Sequence, residues 1–164
     1  MRILGIDPGY DRLGIAVIEK PAQGKAGKET LLYSDCLQTS SKDDIYIRLK
    51  SIGAEIARIL DEFKPDILAI ETLFITKNQK TAMRVAEARG IIIYEALKRD
   101  IPVHEYGPME VKMAVTGDGS SDKTRMTKMV GLLVKMPAKA GPTKLLDDEY
   151  DAIAIALCAS AHMR

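Results

Sequence analysis

The sequence has little of what would brace a small fold covalently or carry it into a membrane. Only two cysteines, Cys36 and Cys158, occur in 164 residues, too few for a disulfide framework and without zinc-site spacing. Both stand in apolar surroundings, where a small buried thiol is the expected state. No apolar run approaches the roughly 20 residues of a membrane span. The chain opens directly on the apolar stretch Ile3–Ile6, without a signal-peptide layout. These absences point to a reducing, cytoplasmic setting. An excess of one charge is missing too: 24 basic against 23 acidic residues leave a formal net charge of +1. Bulk charge therefore gives no vote for nucleic acid, and a polyanion would have to be met by local basic patches. Histidine is scarce, with two residues. His104 falls on a strand candidate and His162 near the C-terminal end, neither with a metal or triad partner nearby in sequence. No Gly-rich loop with Lys-Ser or Lys-Thr of the Walker type is present. What remains, 46% hydrophobic and 29% charged residues, is ordinary globular composition, and the length fits one domain, 1–164, with a real core.

The pattern of apolar residues gives an alternating plan. Ile3–Ile6 leads into the turn signature Asp7-Pro8-Gly9, Leu13–Ile18 is a second apolar run, and a Gly24–Lys28 connection leads to a third strand over Thr30–Leu37. Ile45, Leu49, Ile52, Ile56, Ile59 and Phe63 recur every three or four residues and predict a helix ended by Pro65. Ile67–Ile70 reads as a buried strand running into Glu71, a second helix spans about Asn78 to Lys98, and Ile101–Tyr106 is a shorter strand. Beyond it lies a Gly-rich connection, Thr116–Ser121. A basic helix from about Asp122 to Lys135, a loop marked by Pro137, Gly141 and Pro142, and a last helix from about Asp147 to Ala161 complete the chain. This order predicts an α/β fold, a mixed five-stranded sheet with helices on both faces.

Three acidic positions are attached to elements that must be buried. Strand alternation puts Asp7 on the face of Ile3 and Gly5, where a lone charge is costly without a partner. Taken alone, Asp-Pro-Gly is also an ordinary turn. Glu71 emerges at a strand's C-terminal end, where α/β sheets tend to bind ligands, although a loop-surface position explains it equally. Asp147, Asp148, Glu149 and Asp151 crowd the start of the last helix. The helix dipole accounts for some of them, but Asp148 and Asp151 share a face. Ala152–Leu157 is small and apolar, so this helix can press closely on a sheet and carry its acids toward the others. Together the acids offer oxygen ligands to a hard cation such as Mg²⁺. Two such ions could hold the attacking and leaving oxygens of a phosphodiester.

These motifs, in order, resemble the RuvC family. They are Ile3–Gly9, Glu71-Thr72-Leu73-Phe74 with Lys77-Asn78, Ala88-Arg89-Gly90, Val115-Thr116-Gly117 leading to Lys123, and Asp148 with Asp151-Ala152 in an Ala-rich helix. The resemblance covers almost the whole chain. It implies a ribonuclease-H-like fold and a homodimer that nicks a four-way (Holliday) DNA junction in recombination and repair, with Mg²⁺ or Mn²⁺, two ions per subunit. It implies partnership with the branch-migration proteins RuvA and RuvB. Carried over by position, Asp7, Glu71, Asp148 and Asp151 are the metal-binding catalytic acids. Phe74 stacks on a base, and Lys112 and Lys123 act near the phosphates. Arg125-Met126 and Asp118 depart from the family pattern.

Lys77, Asn78, Lys80, Arg84 and Arg89 gather around the second helix, and Lys123, Arg125, Lys128 and Lys135 form another basic stretch, both suited to phosphate contacts and also readable as solvated helix faces. The second helix carries two stripes of apolar and small residues. One holds Met83, Ala86, Gly90, Ile93 and Leu97, the other Ala82, Val85, Ile92 and Ala96. One can cover the sheet and the other can pack across a twofold axis, or both can be buried within the monomer. Two functional alternatives stay open: another ribonuclease-H-like nuclease acting on RNA or branched DNA, and a catalytically inactive nucleic-acid-binding relative.

Overall fold

The computed structural model describes residues 1–22, 27–73, 79–136 and 145–163. Phe74, Lys77, Asn78, the tip of the Gly24–Lys28 connection and the Pro137–Pro142 loop lie outside them. Three strands open the chain, β1 (Arg2–Asp7), β2 (Arg12–Glu19) and β3 (Glu29–Gln38). They are followed by α1 (Ile45–Phe63), β4 (Ile67–Glu71), α2 (Gln79–Leu97), β5 (Val103–Tyr106), α3 (Pro108–Thr116), α4 (Lys123–Leu133), β6 (Val134–Lys135) and α5 (Asp147–His162). The sheet runs β5-β4-β1-β2-β3-β6. β1, β2 and β3 form an antiparallel meander, while β4, β5 and β6 join it in parallel.

Alternation along the strands sorts the core into two layers. Leu4, Ile6, Ile15, Val17, Leu68 and Ile70 pack with Ile52, Ile56 and Ile59 of α1 and Ala88, Ile92 and Ala96 of α2. Ile3, Ala16, Ile18, Ile67 and Ala69 face α5, α3 and α4. Helices cover both faces, as the sequence pattern predicts. α1 starts where the Asp44 carboxylate accepts the Tyr46 N–H at 2.8 Å and stops at Lys64, whose left-handed backbone precedes Pro65.

Three details differ from the sequence reading. Among the described residues the sheet has six strands, because Val134 and Lys135 leave the basic helix and pair with Glu29 and Thr30; a two-residue strand has no periodicity to read. The residues between Tyr106 and the Thr116–Ser121 connection, to which the sequence pattern assigns no element, form α3, begun by Pro108 at its first turn and closed by Gly117 with φ 75°. Within α2, Ala88 belongs to the buried face, between the two stripes drawn from spacing.

Candidate active site

Asp7 and Glu71 end parallel, adjacent strands whose preceding residues Ile6 and Ile70 are register partners, so both carboxylates leave the sheet at the same edge. α5 brings the third. Its axis is pressed unusually close to the meander because the strand residues beneath it are glycines. A Cβ at Gly5 would lie 2.2 Å from the Ala152 carbonyl oxygen, and one at Gly14 would lie 2.1 Å from that of Asp148. At this approach Asp151 enters the cleft that Asp7 and Glu71 line, with Lys112 and Lys123 on its rim and Val111, Met126 and Ile155 among its apolar walls.

The four acids at the start of α5 do four different things. Glu149 is structural: its carboxylate accepts from the Leu146 N–H at 2.7 Å and from the Ser34 hydroxyl at 2.8 Å. Asp147 lies 3.4 Å from the Lys123 ammonium, which also donates to Asp151 at 3.3 Å. Asp148 turns out of the main cleft into a neighbouring hollow, where Arg12 donates to it through Nε at 2.9 Å and through Nη2. No sequence signal ties Arg12 to an acid so distant in the chain; the pair exists only because β2 lies under α5.

Crowding shows in the proton affinities. Burial pushes Asp7 up to about 7, with Asp151, Glu71 and Asp148 adding repulsion and Lys123 opposing it. Burial and Asp151 raise Glu71, and burial raises Asp151 against the pull of Lys123. Asp148 moves the other way: burial works to raise it, but the hydrogen-bonded Arg12 guanidinium wins and holds it below the usual range. A cleft that collects carboxylates and raises the proton affinity of Asp7, Glu71 and Asp151 offers the all-oxygen donor set of a hard divalent cation. Among the described residues no group of three or more His, Cys, Asp or Glu side chains is drawn together tightly enough to hold an ion; Arg12 and Lys123 occupy Asp148 and Asp151. The donors fit such an ion in kind and in neighbourhood.

The basic residues separate. Lys112 and Lys123 reach the cleft. Lys80 is exposed, and Arg84 pairs with Glu87 on its own helix at 2.8 Å. Arg125 and Asp118, the two departures from the family pattern, are each other's partners at 3.2 Å, so the added negative charge is matched. Arg89 points inward, away from solvent. The histidines stay outside the cleft's lining, His162 donating through Nδ1 to the Cys158 carbonyl at 2.8 Å. Both cysteines are buried free thiols, pushed up by burial to about 11 for Cys36 and about 12 for Cys158, hence unreactive. Among the described residues no helix is long and apolar enough to cross a membrane.

Known proteins match the chain over nearly its full length. The profile of the family described as crossover junction endodeoxyribonuclease RuvC matches residues 3–159. A RuvC of Thermosipho melanesiensis is 41% identical over all 164 residues, covering 99% of that relative. One from a Mycobacterium species is 40% identical over 96% of this chain and 82% of its own length. Among solved structures, Thermus thermophilus RuvC in complex with a Holliday junction substrate superposes with a TM-score of 0.86 at 30% identity, covering 99% of this chain and 94% of the other. The yeast mitochondrial resolvase Ydc2, at 14% identity and a TM-score of 0.72, shares the fold. Matched by the family profile over residues 3–159 and by a relative 41% identical along all 164 residues, the chain belongs to the crossover junction endodeoxyribonuclease RuvC family.

Proposed function

We propose that this chain resolves four-way DNA junctions by metal-assisted hydrolysis of phosphodiesters, one nuclease domain per subunit. The observation that carries the reading is the gathering of Asp7, Glu71 and Asp151 in one cleft with Lys112 and Lys123 at its rim. Binding alone does not call for three half-buried, mutually repelling acids, and that argues against an inactive relative. Asp7, Glu71, Asp148 and Asp151 would hold the metal, Mg²⁺ or Mn²⁺, as two ions per subunit. When bound, the ions supply an activated water and offset charge on the departing oxygen. The chain's own residues place the phosphate: Lys112 and Lys123 attract it, and in this reading Asp148 and Asp151 exchange Arg12 and Lys123 for metal, leaving both cations free to face DNA. Phe74 would stack on an unpaired base, and Lys77, Asn78, Lys80, Arg84 and Arg125 would follow the backbone. The functional unit is a homodimer in the cytoplasm, acting with RuvA and RuvB.

The test is cleavage of synthetic four-way junctions beside matched duplex DNA and RNA hybrids, with Mg²⁺ or Mn²⁺. Paired nicks in the junction are expected, lost by at least about 100-fold on Asp7→Asn, since a charged ligand that acts on the transition state is removed. Junction affinity should persist, because grip comes from basic residues. Asp7→Asn cutting at the wild-type rate would remove that residue from the chemistry, and preferred cutting of RNA would favour a different ribonuclease-H-like activity.

A further inference from the structure

Glu71 is the last residue of β4, and its side chain is aimed by a main chain that is leaving the sheet. The next residue is tied down: the Thr72 N–H donates to the Tyr106 carbonyl at 3.0 Å. The carbonyl of Glu71 itself is held from another layer, by Arg89 Nε of α2 at 3.1 Å. The same guanidinium reaches Glu105 of β5, with Nη2 at 2.6 Å from Oε2, and Glu105 is the register partner of Ile70. Arg89 thus clasps the ends of β4 and β5 from above. Its side chain is only 15% exposed. Nη2 is fully buried, and its N–H bonds do not point at the nearby carboxylate, so it lacks a hydrogen bond. A guanidinium in such a place is costly. Its helix neighbours Ala88 and Ile92 are wholly apolar and buried, so packing alone would be served by a hydrocarbon.

We propose that Arg89 is a positioning residue. It fixes the main chain at Glu71 so that the carboxylate enters the cleft, with Glu105 as its counter-ion, and it does not contact DNA. This rests on Glu71 being one of the metal-holding carboxylates. A guanidinium fork meets a carbonyl and a carboxylate at once, which a lysine ammonium does not do with the same geometry. Groups that orient metal ligands typically cost 10- to 100-fold in metal affinity or activity when removed.

The experiment uses the full chain and three readouts: Mn²⁺ binding to the DNA-free protein by electron paramagnetic resonance, junction affinity in EDTA as a function of salt, and single-turnover cleavage at saturating junction. Arg89→Met and Glu105→Gln should each weaken Mn²⁺ binding and slow cleavage by about 10- to 100-fold, with junction affinity and its salt slope unchanged. Arg89→Lys should fall between them and wild type. Glu105 is half exposed, so Glu105→Gln keeps the test available should Arg89→Met fail to fold. Loss of junction affinity with a shallower salt slope and intact Mn²⁺ binding would make Arg89 a phosphate contact and overturn the proposal. Glu71→Gln is the control. If it lowers Mn²⁺ binding while the Arg89 and Glu105 variants do not, the positioning role alone is wrong. If Glu71→Gln leaves Mn²⁺ binding intact, the metal-holding reading of Glu71 fails, and the positioning role with it.

Discussion

Asp7 carries the largest electrostatic cost in the cleft, and the sign of that cost is measurable without DNA. Its carboxyl is raised from 3.8 to about 7 by burial and by Asp151, Glu71 and Asp148, so the folded protein binds this proton more tightly than the unfolded chain does. The resulting stability is fully present below about pH 4 and is lost as pH rises through 7. At pH 8 the metal-free protein therefore bears a cost of burial and repulsion on the order of 2–4 kcal/mol, taking roughly 1.4 kcal/mol per pKa unit and sharing some of it with its coupled neighbours. Asp7→Asn removes the charge and keeps the shape. Urea unfolding in EDTA should find the variant more stable than wild type at pH 8 by a few kcal/mol, and the gap should close near pH 4. A gap of the same size at both pH values would mean that packing, not charge, sets the difference. Mg²⁺ should invert the order at pH 8, because only the wild type keeps the full carboxylate set.

At the scale of the element, α5 determines whether the acids meet at all. Its run of Ala152, Ala154, Ala156 and Ala159 is wholly buried, and Gly5 and Gly14 leave no Cβ between it and the strands. Gly14→Ala would put a methyl group 2.1 Å from the Asp148 carbonyl and 3.1 Å from the Asp7 Cβ. The contact is with backbone, so the helix start must move. Overpacking of this kind costs about 1–3 kcal/mol, and here the displaced turn carries Asp148 and Asp151. Gly14→Ala should lower the unfolding free energy by that amount and reduce cleavage by more than 10-fold at temperatures where the protein is still folded; full activity alongside lowered stability would show that the acids tolerate the shift. Much of this was readable in the sequence. The Leu49–Ile59 spacing and the buried run before Glu71 each report one element's own burial, and the Ala-rich start of α5 implies close approach. α3 was not readable, because only Val111 and Val115 of its nine residues enter the core and its Pro and Gly flanks read as loop. Nor were the Arg12–Asp148 pair and the Arg89 clasp, since contacts between layers leave no periodic trace and a charged residue on a helix reads as surface.

At the scale of the whole molecule, α2 presents a face that the described residues do not cover. Ala88, Ile92 and Ala96 are buried on the sheet, whereas Met83 is 66% and Leu97 56% exposed, with Ala86 and Gly90 exposed between them. A four-way junction has two symmetry-related strands to cut, and a twofold pair of chains joined along α2 would present one cleft to each. Spacing alone left it open whether a bulky residue at Gly90 would damage the core or an interface. The structure separates the two, because a Cβ at Gly90 would meet no atom within 4 Å. Within one chain Gly90→Leu should in fact help, by up to about 1 kcal/mol of helix propensity. Any harm must then come from a second copy, whose close helix crossing a leucine would force apart at about 1–3 kcal/mol, or roughly 5- to 150-fold in dimer dissociation. Sedimentation of the wild type well above micromolar concentration should give about twice the 18.0 kDa chain mass. Gly90→Leu should shift toward a single chain at equal or higher melting temperature of the monomer, and junction cutting should become unpaired, with single nicks outliving paired ones. A wild-type monomer that cuts both strands in one binding event would remove the need for the α2 face. So would a Gly90→Leu protein that stays dimeric and makes paired cuts, since the exposed stripe would then lie outside the twofold contact.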